Sequence, residues 1–353
     1  MEKTSTDRPF LKFIAYLQVI GIILVVLGHS FHEYPDGDAH GKTFVIYRMI
    51  YSFHMPLFMF VSGFLMLLTS GLLSQSPRYS FGKFFKNKVL RLLLPFFVLT
   101  LVTFVPRCMM SSMADESLQL SLKSLAGSFI WYDNLVIPYF WFLQASFILL
   151  IVNFLILTIA FKKKIDSGAL ILALSGVSLL IYFMPIDYPG FFSFDKAMQL
   201  AVFFTAGMAY CRYFRSINNL IDWTSPWCLS AFTALWVISF ATTENTPAFI
   251  LCSFSGIAAS TSLAMIIQHR GITVIDHLSG ANYIIFLLSW YFNVIFQQVL
   301  HHYIELPWWV YTIMSLIAGI YIPWLFYRYM QRHPQFYFVK ITARLLGQSI
   351  KTP

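Results

Sequence analysis

Apolar runs separated by short polar loops recur along the whole chain. Ten of these runs contain about 20 residues each, which is the length that a helix needs to cross the hydrocarbon core of a bilayer. A helix satisfies its own backbone hydrogen bonds within that core, whereas an open sheet does not. The pattern therefore predicts an all-α polytopic membrane protein with about ten transmembrane helices. The predicted spans are 13–31, 52–73, 89–106, 139–161, 167–185, 197–214, 226–241, 247–267, 281–299 and 308–329.

The composition agrees with a membrane protein. Of the 353 residues, 58% are hydrophobic and only 11% are charged, against about 25% charged in an ordinary soluble domain. These values exclude a soluble globular protein and a disordered chain. The four cysteines have no CxxC or CxxH spacing, so neither a disulfide framework nor a metal site is predicted. The net charge of +9 does not indicate a nucleic-acid partner, because in so apolar a chain its placement relative to the bilayer matters more than its sum.

Basic residues concentrate in every second loop. With the N-terminus inside, 19 of the 24 Lys and Arg residues lie on the inner side, and ten of the 15 Asp and Glu residues lie on the outer side. Short cytoplasmic loops are the ones enriched in Lys and Arg. The charge pattern therefore predicts that both termini are cytoplasmic. The inner segments are then 1–12, 74–91, 162–166, 212–225, 268–280 and 328–353.

The two ends of the chain carry further signals. The first apolar span has no small-residue cleavage site near its end at Phe31, so we expect a retained helix rather than a cleaved signal peptide. The last segment, 334–353, alternates aromatic and aliphatic residues with Lys340, Arg344 and Lys351. Such a pattern is typical of an amphipathic helix on the inner surface that is attracted to anionic membrane lipid. The predicted organisation is one transmembrane domain at 1–333 and a basic amphipathic cytoplasmic tail at 334–353.

Two histidines lie at the same predicted depth near the outer face. His29 stands near the end of the first span and His54 near the start of the second. Ionisable side chains inside a membrane are costly and are functional hypotheses by default. Histidine is also the side chain best suited to exchange a proton near neutral pH. The sequence leaves two interpretations open, a pair that includes a general base or two ordinary interfacial residues at helix ends.

Other candidate residues lie at or within the predicted helices. Arg91 and Lys88 enter the third span on the inner side, where they either bind a phosphorylated cofactor or anchor the helix by the positive-inside rule. Trp141 begins the fourth span on the outer side, where interfacial aromatics are common. Gln18 and Asn293 are polar positions within spans, and interhelical hydrogen bonding is the default role for such residues.

Several motifs along the chain resemble those of the membrane acyltransferase-3 family. The opening motifs are Leu24–Ser30, Ser52–Phe58 and Val61–Leu65, and the second of them, Ser-Phe-His-Met-Pro-Leu-Phe, is quite specific. Four later segments agree, so the resemblance covers about residues 8–330. These segments are 88–96, 141–143, 203–207 and 282–288.

The resemblance implies a single acyltransferase domain that forms a ten-helix bundle in the plasma membrane, which is the inner membrane if the cell is Gram-negative. Such a protein moves an acyl group, commonly acetyl, from cytosolic acyl-CoA to a hydroxyl of a surface polysaccharide or glycolipid, and it needs no metal. By motif, His29 is the essential histidine and predicted general base, and His54 is its orienting partner or an oxyanion donor. Arg91 and Lys88 would bind the CoA phosphates. A substrate channel would be lined by Trp141, Gln18 and Asn293.

The chain departs from the family pattern at three positions. Gln18 and Ala15 stand where family members usually carry an arginine and often an aspartate, and Ser289 stands where many have a histidine. Some proteins with the sequence features of this family are proposed exporters. The alternative function is therefore a polysaccharide or lipid-linked sugar exporter that makes no covalent change.

Overall fold

The computed structural model describes residues 7–31, 42–74, 80–110, 118–185, 187–241, 246–300 and 303–348. The prediction of an all-α protein is confirmed, because these ranges contain helices and no strand. A single isolated antiparallel bridge joins Trp131 and Phe191. In chain order the α-helices are α1 (Asp7–Ser30), α2 (Lys42–Tyr51), α3 (His54–Ser70), α4 (Phe81–Lys88), α5 (Leu94–Met109), α6 (Leu122–Ile130), α7 (Trp141–Lys162), α8 (Ser167–Phe183), α9 (Phe194–Arg212), α10 (Phe214–Leu220), α11 (Pro226–Ala241), α12 (Thr246–His269), α13 (Asn282–Val294), α14 (Trp308–Arg332) and α15 (Tyr337–Leu345).

Six helical segments of the described chain are long and apolar enough to cross a membrane. Helices also occupy the other four predicted spans, as α8, α9, α11 and α13. The protein is therefore a multi-pass membrane protein, while the count of ten crossings and the cytoplasmic placement of both termini stay predictions. The six candidate spans are Lys12–Ser30, Val45–Ser70, Phe81–Met109, Pro138–Lys162, Ala248–His269 and Trp308–Arg332.

The helix surfaces show why this chain requires lipid. The segment Phe81–Met109 is strongly apolar, yet only 33% of its most apolar window is buried. Leu101, Val102 and Val105 expose 53%, 64% and 47% of their surface. A contiguous apolar surface of this kind is rare on soluble monomers, whereas hydrocarbon solvates it at no cost.

Local signals explain where several helices begin and end. Helix α8 begins after Asp166, whose carboxylate accepts a hydrogen bond from the Ala169 N–H at 2.7 Å and so satisfies one of the free donors of the first turn. Helix α11 begins with Pro226, which has no N–H to leave unsatisfied. Helix α15 ends in a Schellman motif at Gly347, where φ is +64° and Gln348 N–H donates to the Ala343 carbonyl.

The segment before the second predicted span differs from expectation. Residues 42–51, which the sequence placed in an outer loop, form α2. The chain then breaks at Ser52 and Phe53, and α3 begins at His54. Pro56 lies in the first turn of α3, where its missing N–H costs nothing. One long span is thus divided into two helices by a two-residue break.

The first of two compact units comprises residues up to Val61, Tyr213–Gln297 and Leu306–Trp324. Helix α12 is central, because it packs against both α1 and α11, and α1 also packs against α13. A small residue also permits a close approach of α14 to α1. A Cβ on Gly319 of α14 would lie 2.9 Å from a methyl of Val26.

The second unit comprises Ser62–Arg212, Gln298–Glu305 and Leu325–Pro353. Within it α9 packs against α7 and α8, and Phe84 of α4 stacks on Phe154 of α7 with ring centroids 3.8 Å apart. The tail helix α15 packs on α5 and buries Val339 and Ala343. The cytoplasmic placement of the tail and its attraction to lipid stay predictions, and residues 349–353 lie outside the described chain.

Two helices of the second unit approach each other very closely at Gly63. A Cβ at this position of α3 would overlap the backbone carbonyl of Phe204 in α9. We expect Gly63→Ala to lower the free energy of unfolding by about 3 kcal/mol, because a backbone carbonyl cannot move aside as a side chain can. Titration of the purified protein with SDS in mixed micelles measures this change.

Gly176→Ala is the matched control, because an added Cβ in this interior turn of α8 meets no atom within 4 Å. Alanine there should leave stability unchanged or raise it by about 0.5–1 kcal/mol. Equal effects of the two substitutions would show that the approach of α3 to α9 does not depend on glycine.

Candidate active site

His29 lies in the last turn of α1, and that turn is held by a distant side chain. The Gln297 amide Nε2 donates to the Ser30 carbonyl at 2.6 Å and to the His29 carbonyl at 3.3 Å. The last carbonyls of a helix have no partner within the helix, and hydrocarbon offers none. Gln297 therefore caps α1 at the residue that carries the candidate base.

A second polar group packs against the same helix end. Ser30 Oγ donates to the Val26 carbonyl at 2.7 Å, and Ser315 Oγ donates to Asn293 Oδ1 at 2.5 Å. Because each hydroxyl has only one hydrogen, the 3.3 Å contact between Ser30 Oγ and Ser315 Oγ joins two hydroxyls whose hydrogens are already used. Asn293 thus accepts a hydrogen bond from Ser315, which lies beside the end of α1, and its role in a substrate channel stays a prediction.

The break between α2 and α3 is fixed by side chains from α11 and α12. Ser253 Oγ donates to the Ser52 carbonyl at 2.6 Å, and the Trp236 indole donates to Ser52 Oγ at 3.1 Å. The Ser52 carbonyl and hydroxyl at the break therefore find partners inside the protein. This arrangement fixes Tyr51 as the last residue of α2 and His54 as the first residue of α3.

Three rings meet at the ends of these helices. The His29 and His54 centroids are 6.3 Å apart with the ring planes at 87°. Tyr51 lies against both, with centroids 5.4 Å from His29 and 4.6 Å from His54. Tyr51 Oη is 2.6 Å from His29 Nδ1 and 3.4 Å from His29 Nε2. The structure thus brings the two predicted histidines within reach of one small reacting group, while their chemical roles stay predictions.

His54 is 1% exposed, and its hydrogen bonding identifies its tautomer. Nδ1 lies 2.9 Å from the Ile50 carbonyl, and a carbonyl only accepts, so Nδ1 carries a hydrogen. Nε2 is buried without a hydrogen-bond partner among the described residues. In the neutral ring Nε2 is therefore a lone-pair acceptor. Buried polar atoms are usually paired. The described chain has other exceptions, such as Gln268 Oε1 and Asn282 Oδ1, and His54 differs from these because its ring can exchange a proton.

Tyr51 is the residue that sequence reasoning missed. The sequence places Tyr51 in a predicted outer loop, so it was not considered together with the two histidines inside the membrane. Its spacing of three residues from His54 would place the two side chains on one face of a continuous helix. The structure adds what this spacing does not show, that the Tyr51 hydroxyl lies 2.6 Å from His29 Nδ1.

The remaining predicted residue of the first unit is Gln18, which is half-buried on α1. It lies eleven residues before His29, which is close to three full turns and about 16 Å along the axis. Gln18 and His29 therefore share a face of α1 but do not touch. Among the described residues, no three His, Cys, Asp or Glu side chains cluster as metal ligands would.

The other predicted residues belong to the second unit. Arg91 is exposed within a π-helical turn, Val89–Leu93. The Lys88 ammonium lies 5.0 Å from the centre of the Phe84 ring. Trp141 begins α7, half-buried, with its ring 6.4 Å from that of Tyr132. A continuous channel containing these residues together with His29 and His54 stays a prediction.

Comparison with known proteins identifies the family. The sequence matches the acyltransferase-3 family, described as an acyltransferase domain, over residues 11–328. The chain belongs to the acyltransferase-3 family. It is also similar to the nodulation protein NolL of Mesorhizobium japonicum, with 31% identity over 129 residues. That alignment covers 36% of this chain and 31% of NolL. No solved structure matches the chain.

The cap on α1 provides a test of the site's construction. We expect Gln297→Ala to lower the free energy of unfolding by about 1–3 kcal/mol, because it leaves two carbonyls at the end of α1 without a donor. The shift of the thermal midpoint in detergent, followed by tryptophan fluorescence, measures the change. Gln199→Ala on α9 is the control, because Gln199 is exposed and such substitutions stay within about 0.5 kcal/mol. Equal midpoints for the two variants would mean that Gln297 does not stabilise α1.

Proposed function

We propose that this protein is an integral membrane O-acyltransferase of the plasma membrane. It transfers an acyl group, most simply acetyl, from cytosolic acyl-CoA to a hydroxyl of a surface polysaccharide or glycolipid. The observation that carries the proposal is the pair of histidines with centroids 6.3 Å apart within a chain of the acyltransferase-3 family. A second support is the acceptor nitrogen of His54, which has no partner in the described structure.

The reaction assigned to this pair needs one base and one proton donor. His29 removes the proton of the acceptor hydroxyl as its oxygen attacks the thioester carbonyl carbon. A carbon–oxygen bond forms, the carbonyl oxygen becomes an oxyanion, and the carbon–sulfur bond then breaks as the carbonyl is restored. The imidazolium returns the proton to the leaving thiolate, so the products are an ester and free CoA. His54 assists this step by orienting the acceptor or by binding the oxyanion.

Arg91 and Lys88 are proposed to bind the donor by its phosphates. A guanidinium forms paired hydrogen bonds with phosphate oxygens, and an ammonium adds a point charge. Arg91 is exposed, as are Lys83 and Lys86 on the preceding helix α4. These four cations lie within nine residues of one another in the sequence, which gives an anionic ligand several groups to bind at one helix junction.

Acetyl transfer by the purified protein tests the function. With radiolabelled acetyl-CoA and the surface glycan of the native host, we expect base-labile label on the glycan. His29→Ala should remove nearly all of this label, because a general base contributes about 10²–10⁴-fold, while the variant still inserts in the membrane. Insertion and folding are checked by size-exclusion chromatography in detergent.

The competing export function predicts a different result in cells. If the protein only exports a glycan, its deletion would leave unmodified glycan inside the cell. If it acylates the glycan, deletion would remove an acetyl increment from the mass of the surface glycan. Absence of any label with every glycan and lipid fraction of the host would contradict the acyltransferase proposal.

Loss of the Arg91 guanidinium should affect donor binding more than chemistry. We expect Arg91→Ala to raise the KM for acetyl-CoA about tenfold or more with little change in kcat, since hydrogen bonds to charged groups contribute about 1.5–3 kcal/mol. Arg270→Ala is the matched control, because Arg270 is exposed and lies in another predicted inner loop. Equal KM values for both variants would mean that Arg91 does not bind the donor and only anchors its helix at the membrane surface.

A further inference from the structure

The hydrogen bond of His54 limits what this residue can do for an oxyanion. Its Nδ1 hydrogen points to the Ile50 carbonyl at 2.9 Å, and its Nε2 has a lone pair and no hydrogen in the neutral ring. An oxyanion needs a hydrogen-bond donor. Neutral His54 therefore has no hydrogen to donate to an oxyanion, because its one N–H already points to the Ile50 carbonyl. The donor for the oxyanion has to be another group.

The Tyr51 hydroxyl is the polar group that stands beside the proposed base. Its oxygen is 2.6 Å from His29 Nδ1 and 3.4 Å from His29 Nε2. It thus lies along the edge of the imidazole ring that carries both nitrogens. An acceptor hydroxyl bound to Nε2 at about 2.8 Å lies a few ångströms from Tyr51 Oη. A carbonyl attacked by that hydroxyl is then within reach of the tyrosine.

Packing fixes the Tyr51 ring in this position. The ring stacks on Tyr47, one turn earlier in α2, with centroids 4.0 Å apart, and its other neighbour is His54 at 4.6 Å. Gly28 gives it room, because a Cβ on Gly28 would lie 3.1 Å from Tyr51 Cε2. Tyr51 is therefore held between α1 and α3 with its hydroxyl at His29, which is the preorganisation that a transition-state donor requires.

We propose that Tyr51 is a catalytic residue whose hydroxyl donates a hydrogen bond to the oxyanion formed on the thioester carbonyl. The Tyr51 oxygen stays in contact with Nδ1 of His29 at 2.6 Å, and Nε2 of His29 is the base. His54 retains the orienting role, in which its Nε2 lone pair accepts a hydrogen bond from the acceptor. This inference rests on the proposed acyltransferase function.

The hydrogens balance in this arrangement. During attack the proton of the acceptor hydroxyl moves to His29 Nε2, and the Tyr51 hydrogen remains on its oxygen while hydrogen-bonded to the oxyanion. The Tyr51 oxygen keeps its contact with the positively charged His29 ring. When the carbon–sulfur bond breaks, the Nε2 proton passes to the thiolate. Tyr51 and His29 thus return to their starting states.

The first test separates the hydroxyl from the ring. Tyr51→Phe keeps the ring contacts with Tyr47 and His54 and removes only the hydroxyl. We expect kcat for acetyl transfer to fall about 10²–10³-fold, as for loss of an oxyanion donor, with the KM for acetyl-CoA changed less than about twofold. Tyr47→Phe is the matched control on the preceding turn and should retain wild-type kcat.

The second test distinguishes a direct donor from a residue that only positions His29. The probe is a phosphonate analogue of acetyl-CoA, in which a charged P–O⁻ stands for the oxyanion and no proton transfer takes place. Tyr51→Phe should bind this analogue at least about tenfold more weakly than wild type, because analogues of the transition state report the contacts made only there. Its affinity for CoA itself should be unchanged.

The outcomes are distinct. Unchanged kcat in Tyr51→Phe overturns the proposal, and so does a loss of kcat without any loss of affinity for the phosphonate, which would leave Tyr51 only as a residue that orients His29. A wild-type protein that transfers no acetyl group would overturn the proposed function instead. In that case the phosphonate would bind wild type and Tyr51→Phe equally.

Discussion

A polar group inside a bilayer has to find its partner within the protein, because hydrocarbon provides none. This constraint makes the described chain helical, and it also determines how the helix ends are built. The last carbonyls of α1 are satisfied by the Gln297 side chain, and the break after α2 is satisfied by Ser253 and Trp236. The pairing is incomplete at several buried side-chain atoms of the described chain, and Nε2 of His54 is one of them.

The two-residue break between α2 and α3 shows how this constraint shapes the candidate active site. A continuous helix through 42–70 would present Tyr51 and His54 on one stripe of its surface. Across the break the two rings still touch, with centroids 4.6 Å apart, while the Tyr51 hydroxyl lies at His29 and His54 donates back to the Ile50 carbonyl. The broken backbone is stabilised by groups from α11 and α12. The site therefore depends on packing between segments that are about 200 residues apart in the chain.

Two π-helical turns contain Gln297 and the predicted donor-binding residue Arg91. Val89–Leu93 contains Arg91, and Ile295–Leu300 contains Gln297. A π turn inserts an extra residue into a helix and redirects the side chains around it, and such turns are frequent at functional sites. At Gln297 the turn directs an amide to the end of α1. At Arg91 the neighbouring backbone meets Gly347, where a Cβ would lie 2.6 Å from the Arg91 carbonyl oxygen, so the tail helix α15 is anchored at the same turn.

Much of the architecture could be predicted from the sequence, because hydropathy and motif are properties of contiguous residues. Apolar run lengths determined the helical class and a helix at each of the ten predicted positions, and motif spacing selected His29, His54 and Arg91. The sequence alone could not determine that Tyr51 joins the histidines, that Gln297 caps α1 across 267 positions, or which nitrogen of His54 carries the hydrogen. Those features depend on hydrogen-bond distances of 2.6–2.9 Å between groups that only the tertiary fold brings together.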